Sequence, residues 1–291
     1  MPPIQELSID TKLKMLVYGR SKVGKTAGAG TFPRPNVIDF DKGVGTMLSP
    51  WWRSEYGDNS HVMYEQFPER GALQKGVHVT ANSFDDACRY FDACMKPGGA
   101  KWTSTSNGKT YDVHPDMFDT WVLDSGTTLA EAATRKGIIV LGSGTGKSLS
   151  QTHKSALATG LVTLKQQDFG AERSMTEQFV AMLLDANKNV IVLAHEKTNY
   201  SEDGSSVVDI VPLFTGQSTE RIPLKFDEVY NLRAIKEGIN VTRKLTTQAD
   251  GIRLVGTRAL NIPNGTAWNY KAIQAAVAVT LAANKLTTKV S

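Results

Sequence analysis

Residues 19–26 read GRSKVGKT and match G-x-x-x-x-G-K-[ST] at every fixed position. Residues 14–19 (KMLVYG) before them are an apolar run of strand formers stopped by glycine, and residues 24–30 suit the start of a helix. Strand, glycine loop and helix in that order let a backbone wrap a phosphate, with amides aimed at its anionic oxygens. Gly19, Arg20, Ser21, Lys22, Val23, Gly24, Lys25 and Thr26 are therefore the expected phosphate-binding run. In it, Lys25 reaches the β- and γ-phosphates and the Thr26 hydroxyl takes one site on Mg²⁺.

A loop of this kind needs a sheet around it, and the following residues supply one. Residues 36–40 (NVIDF), 118–123 and 189–194 are further short apolar strands; residues 83–95, 127–136 and 174–186 carry apolar residues at helical spacing. Residues 174–177 offer a Ser-x-x-Glu capping box. Strands of the buried type alternating with helices indicate an α/β fold with a mainly parallel central sheet flanked by helices. Asn107-Gly108 within residues 102–113 marks a hairpin. Residues 198–206 read as a polar loop. Residues 226–234, 239–246 and 252–257 alternate like antiparallel strands, so a C-terminal meander extends the sheet, and residues 268–284 close the chain as a helix. The expected organisation is one domain over residues 1–291, with residues 1–12 an N-terminal extension and residues 226–291 the basic meander and closing helix.

The strand ends carry further polar groups. Residues 120–124 (TWVLD) end in Asp124, placed to hold Mg²⁺ from a strand beside the phosphate loop. Residues 37–41 (VIDFD) end in acids; Asp41 is the candidate that polarises an attacking water, with Asp39 on the same face of an extended strand. Residues 189–195 (NVIVLAH) deliver His195, a candidate γ-phosphate sensor, to the same sheet edge, where open α/β sheets bind ligands. A second glycine-rich segment, residues 142–148 (GSGTGKS), fails the phosphate-loop register, because Leu141 stands where the first glycine belongs. Residues 142–160 read instead as a mobile Gly/Ser/Thr loop carrying Lys147 and Lys154.

Composition narrows the class. The 291 residues include 41% hydrophobic and 21% charged residues, as a globular chain does. No apolar run approaches the roughly 18 residues a membrane span needs, and the first residues hold no apolar signal core, so a soluble cytoplasmic protein without a membrane partner is expected. Cys88 and Cys94 fit neither zinc spacing nor a disulfide scaffold and read as small buried hydrophobes. Of the +4 net charge, residues 233–291 contribute +7, with nine Lys/Arg against two Asp/Glu. That balance suits either a solvated sheet edge or a polyanion surface.

The succession YGRSKVGKT, VIDFDKG, WVLDSGTTL, SMTEQFVAMLLDA, NVIVLAHEK, FDEVYNLR resembles the phage-type AAA ATPases with a RecA-like core, a group that includes RecA-related phage recombinases of the Sak kind. The resemblance spans residues 14–258. It implies a RecA-like P-loop NTPase fold, ATP and Mg²⁺ as cofactors, and self-association into a ring or filament with ATP at subunit interfaces. It gives Lys25, Asp41, Asp124 and His195 catalytic roles, with Thr26 and Asp124 on the metal. Asp41 stands where RecA relatives usually carry Glu. About a dozen residues precede the first strand, so assembly is expected to use a contact other than RecA's N-terminal polymerisation domain. Lys197 and Tyr200 fall in the stretch matching one DNA-contacting loop of RecA, and Lys147 and Lys154 in the other. Arg258 is the first choice for a basic residue completing a neighbour's site, ahead of Arg233 and Lys244.

The implied function is an ATPase acting on single-stranded DNA in phage recombination or replication, with a phage single-strand-binding protein a further partner to consider. The alternatives are a nucleotide-dependent annealing module with little hydrolysis, a DNA motor such as a helicase, loader or packaging ATPase, and, last, a small-molecule kinase.

Overall fold

The computed structural model describes residues 9–10, 12–68, 83–144, 166–238, 240–258, 260–283 and 288–289. In chain order the strands are β1 (Ile9–Asp10), β2 (Lys14–Gly19), β3 (Pro35–Asp39), β4 (Met63–Gln66), β5 (Ala100–Thr103), β6 (Thr110–Val113), β7 (Thr120–Asp124), β8 (Asn189–Tyr200), β9 (Val207–Pro212), β10 (Glu228–Glu237), β11 (Asn240–Thr246), β12 (Gly256–Thr257) and β13 (Thr288–Lys289). The helices are α1 (Lys25–Ala29), α2 (Pro50–Tyr56), α3 (Ser83–Met95), α4 (Gly126–Gly144), α5 (Gln166–Asp185), α6 (Ser218–Arg221) and α7 (Tyr270–Ala283).

The central sheet runs β11-β10-β2-β8-β7-β3-β4, and every neighbour from β10 to β4 is parallel. Parallel strands need both faces covered, and β3 and β7 are buried at all positions. Alternate residues feed two cores. Leu16, Tyr18, Trp121 and Leu123 pack with Phe91, Leu129 and Phe179 of α3, α4 and α5. Met15, Val17, Val122 and Leu232 pack on the other face with Ala27 of α1, Trp52 of α2 and Ile273 of α7. This is an α/β fold, a mainly parallel central sheet with helices packed on both faces. The strand ends converge in register: Gly19 lies opposite His195, and Asp39 opposite Asp124.

Several elements depart from the sequence expectation. β8 lies between β2 and β7, so Asp124 reaches the phosphate loop across β8 rather than from a neighbouring strand. Residues 198–206 are not a free loop: β8 continues to Tyr200 and turns into β9 as an antiparallel hairpin. Helix α5 begins at Gln166, so Ser174 and Glu177 lie within it; Ser174 Oγ accepts from Gln178 Nε2 (3.2 Å) and caps nothing. Helix α4 runs through Gly144, which removes the first residues of the expected glycine loop. The remainder of that loop, with Lys147 and Lys154, lies outside the described residues.

The meander is antiparallel only at β11 and β12; its first strand, β10, is parallel to β2. Residues 252–254 lie against Ile210 of β9 instead of continuing that sheet. Both thiols are free, Cys94 buried and Cys88 half-buried, and burial pushes them up to about 11 and about 12. They are packing residues with inert sulfurs. Among the described residues no helix is long and apolar enough to cross a membrane.

Candidate nucleotide site

The loop between β2 and α1 carries two left-handed residues, Lys22 (φ 63°) and Gly24 (φ 99°), which curl the backbone into a cradle. The Gly19 position is closed to a side chain, since a Cβ there would lie 2.6 Å from the Leu232 carbonyl oxygen. Lys25 is buried, and its Nζ donates to the Gly19 and Arg20 carbonyls (both 2.9 Å). Burial pulls the Lys25 amine below its ordinary range, with Asp124, Asp41 and Glu196 opposing the shift. Val23 packs into the core, and Arg20 turns away to pair with Glu196 (3.0 Å), so neither side chain lines the cavity. Glu196 also accepts from Asn231 Nδ2 (3.1 Å), tying the loop to β8 and β10.

Thr26 Oγ1 donates to Asp124 Oδ2 at 2.6 Å. Burial pushes the Asp124 carboxyl up to about 7; Asp39 and Asp41 add to the shift, while Thr26 and Lys25 oppose it. The Asp124 carbonyl receives the Phe40 and Asp41 amides (2.6 and 3.3 Å), which carries the chain past β3 and sets Asp41 beside it. Burial also raises Asp39, which accepts from the Gly43 and Val44 amides and from Gln66. It fastens the turn after β3, whereas Asp41 and not Asp39 lines the cavity. For Asp41, burial works upward, but hydrogen bonds from His195, Thr128 and Ser125 outweigh it and hold the carboxyl below the usual range.

His195 Nε2 lies 3.2 Å from Asp41 Oδ2, and Thr128 donates to the other oxygen. The His195 amide donates to Thr127 Oγ1 (3.0 Å), which donates to the Leu213 carbonyl (2.8 Å). The start of α4 thereby fixes the Asp41–His195 pair and the root of the β8–β9 hairpin together.

Lys25, Thr26, Asp124, Asp41 and His195 line one cavity of about 370 Å³, with Ser21, Lys22 and Gly24 at its lip. The donors fit a hard cation: a hydroxyl and a carboxylate side by side, with room for phosphate and water oxygens. Glycine at position 43 keeps that pair open, since a Cβ there would stand 2.6 Å from Asp124 Oδ2 and 2.9 Å from Thr26 Oγ1. Lining residues that carried no sequence signal include Gly43, Thr46, Trp51 of α2 and Arg243 of β11.

The other sequence candidates stand elsewhere. Lys197 and the exposed Tyr200 lie on β8 beyond His195, on a hairpin whose turn holds Glu202 and Asp203. Hydrogen bonds from Ser201 and Ser205 hold Asp203 at about 2, so the tip is anionic. Arg258 follows β12, which pairs at the Glu228 end of β10, level with Met15 and away from the phosphate loop. Its guanidinium is engaged by Asp227 (3.3 Å) and the Leu224 carbonyl (2.6 Å).

The AAA domain family matches residues 11–268, from the residues before β2 to those before α7. The chain belongs to the AAA domain family. No curated protein matches it. Among solved structures, the flagellar accessory protein FlaH from Methanocaldococcus jannaschii aligns over 81% of this chain and 76% of its own, with 8% identity and a TM-score of 0.32. As an AAA-domain chain with an intact phosphate-loop motif, the protein is a P-loop NTPase.

Proposed function

We propose that this AAA-domain protein hydrolyses ATP at the cavity between β2, β3, β7 and β8. One observation carries the reading: Lys25, the Thr26–Asp124 pair and the Asp41–His195 pair face one another across a single cavity at the carboxyl ends of the strands. Loop amides and Lys25 grip the phosphates. Thr26 and Asp124 hold Mg²⁺, which when bound supplies charge neutralisation across the phosphates. Asp41, kept ionised, accepts hydrogen bonds from water and orients it toward the terminal phosphorus. His195, bonded to Asp41, registers whether that phosphate is present and transmits the state through the rigid root of the β8–β9 hairpin.

We propose single-stranded DNA as the client and self-association as the working state. The basic C-terminal region supports both, as does the order of motifs shared with the phage-type RecA-like ATPases. ATP turnover by wild type, Lys25→Ala and Asp41→Ala, with and without single-stranded DNA and alongside light scattering, tests the set. Turnover lost in both variants and raised by DNA is the expected result. Turnover indifferent to Lys25 overturns the ATPase reading; turnover and mass indifferent to DNA remove the client.

A further inference from the structure

Arg243 is the unexplained cation of the site. It lies on β11 opposite Ala234 of β10, on the face that carries Leu232 and Leu245 into the core. Leu232 touches the Gly19 end of the phosphate loop, so a long β11 side chain level with Ala234, two positions farther along, can overhang that loop. Arg243 does so closely: a Cβ on Gly24 would fall 2.2 Å from its Nε and 2.5 Å from its Cδ. The guanidinium rests on the Trp51 ring, its Cζ 4.4 Å from the centroid, a cation–π seat that fixes the plane of the group. Trp51 is itself held edge-on by Tyr56.

Among the described residues Arg243 stands without an anion: no carboxylate pairs with it, and its Nε is buried without a hydrogen-bond acceptor. A buried donor left unpaired is costly, and more so when it is charged. Such a cation persists at low cost only where a ligand supplies the missing charge, and Arg243 lines the same cavity as Lys25 and Thr26.

We propose that Arg243 is a ligand for the nucleotide's polyphosphate, supplied by the same subunit that supplies the loop. Seated on Trp51 with a planar fork of donors above Gly24, it faces Lys25 across the phosphate path and gives the site a second fixed cation. The inference rests on the reading of this cavity as a nucleotide site. It makes Trp51 a positioning residue and gives Gly24 a second purpose, which is to let an arginine stem cross the loop. It also assigns part of the basic balance of the C-terminal region to the site of its own chain.

Equilibrium binding of Mg-ATP and of inorganic tripolyphosphate with Mg²⁺, by calorimetry on the full chain, tests the proposal. Wild type, Arg243→Gln, Arg243→Lys, Trp51→Leu and Lys25→Ala are compared. Arg243→Gln is expected to weaken both ligands by a similar factor, about 10- to 100-fold. Arg243→Lys keeps the charge, loses the fork and falls between; it stands in should the Gln variant not fold. Trp51→Leu weakens both by about 2- to 10-fold through loss of the seat. Loss confined to ATP would place Arg243 on the base or ribose and overturn the proposal. Unchanged binding of both ligands in Arg243→Gln, with Lys25→Ala impaired, overturns it while leaving the nucleotide site intact. No binding by wild type, or binding indifferent to Lys25, fails the underlying reading instead.

Discussion

Gly43 borders the Thr26–Asp124 oxygen pair proposed above to hold Mg²⁺. Any side chain there meets Asp124 Oδ2 and Thr26 Oγ1 before it meets anything else. Gly43→Ala is therefore expected to lower ATP turnover at least about tenfold and to raise the Mg²⁺ concentration for half-maximal rate, beyond any fall in melting temperature from crowding the buried Asp124. A magnesium titration reads it, and an unaltered titration curve refutes the arrangement. The same residue marks a limit of sequence reading. Lys25 and Thr26 were legible because they sit in a fixed motif, and Asp124, Asp41 and His195 because each follows an apolar strand run, and parallel strands deliver the ends of such runs to one edge. Gly43 and Arg243 become visible only once strands distant in sequence lie side by side. Basic content alone pointed to Arg258, which its own chain engages away from the loop.

Helix α1 has only five residues, too few to be stable alone, so tertiary contacts must hold the phosphate loop in shape. Two indoles do this: Trp268 Nε1 donates to the Lys25 carbonyl (2.8 Å) and Trp52 Nε1 to the Ala27 carbonyl (2.9 Å). Gly28 lets Trp268 approach, since a Cβ there would lie 2.1 Å from the ring. Gly28→Ala should cost about 1–3 kcal/mol by overpacking, read as a fall of several degrees in melting temperature; an unchanged value counts against the clamp. Helix α5 carries a different load. Glu172 is wholly buried, with Oε2 unbonded among the described residues, and burial pushes its carboxyl up to about 7, with Glu177 adding to the shift and Thr176 and Arg173 opposing it. Ionised Glu172 disfavours the folded state, so its penalty is absent near pH 4.5 and complete above pH 7. Glu172→Gln should thus stabilise the protein by about 1–2 kcal/mol at pH 8 and by little near pH 5. Thermal melts at the two pH values decide it, and an equal shift at both excludes the buried charge as the cause. The β8–β9 hairpin and the true start of α5 escaped sequence reading for local reasons. A polar strand beyond a core edge lacks apolar alternation, and Ser-x-x-Glu also occurs inside helices, where backbone amides are already bonded.

Across the whole molecule, charge decides where a polyanion could lie. The β8–β9 hairpin offers Lys197 and Tyr200, but Glu196, Glu202, Asp203 and Asp209 share it, and Asp203 stays ionised to about pH 2. The β10–β11 pair instead exposes Arg233 and Lys236 next to the phosphate-loop edge of the sheet. Strand β10 is parallel to and bonded to β2, so anything seated on it shares a rigid element with the nucleotide loop, as coupling between client and nucleotide requires. If single-stranded DNA is the client, Arg233→Gln combined with Lys236→Gln should weaken binding at low salt and flatten the logarithmic salt dependence by about 1.4, at roughly 0.7 for each phosphate that the wild-type side chains neutralise. Lys197→Gln should change affinity by less than about twofold, because the acidic residues around it already repel the DNA backbone there. Fluorescence anisotropy with a labelled oligonucleotide between about 50 and 200 mM salt separates the surfaces. The opposite ranking, with Lys197 dominant, would move the DNA path onto the acidic hairpin and break its link to the nucleotide site through β10.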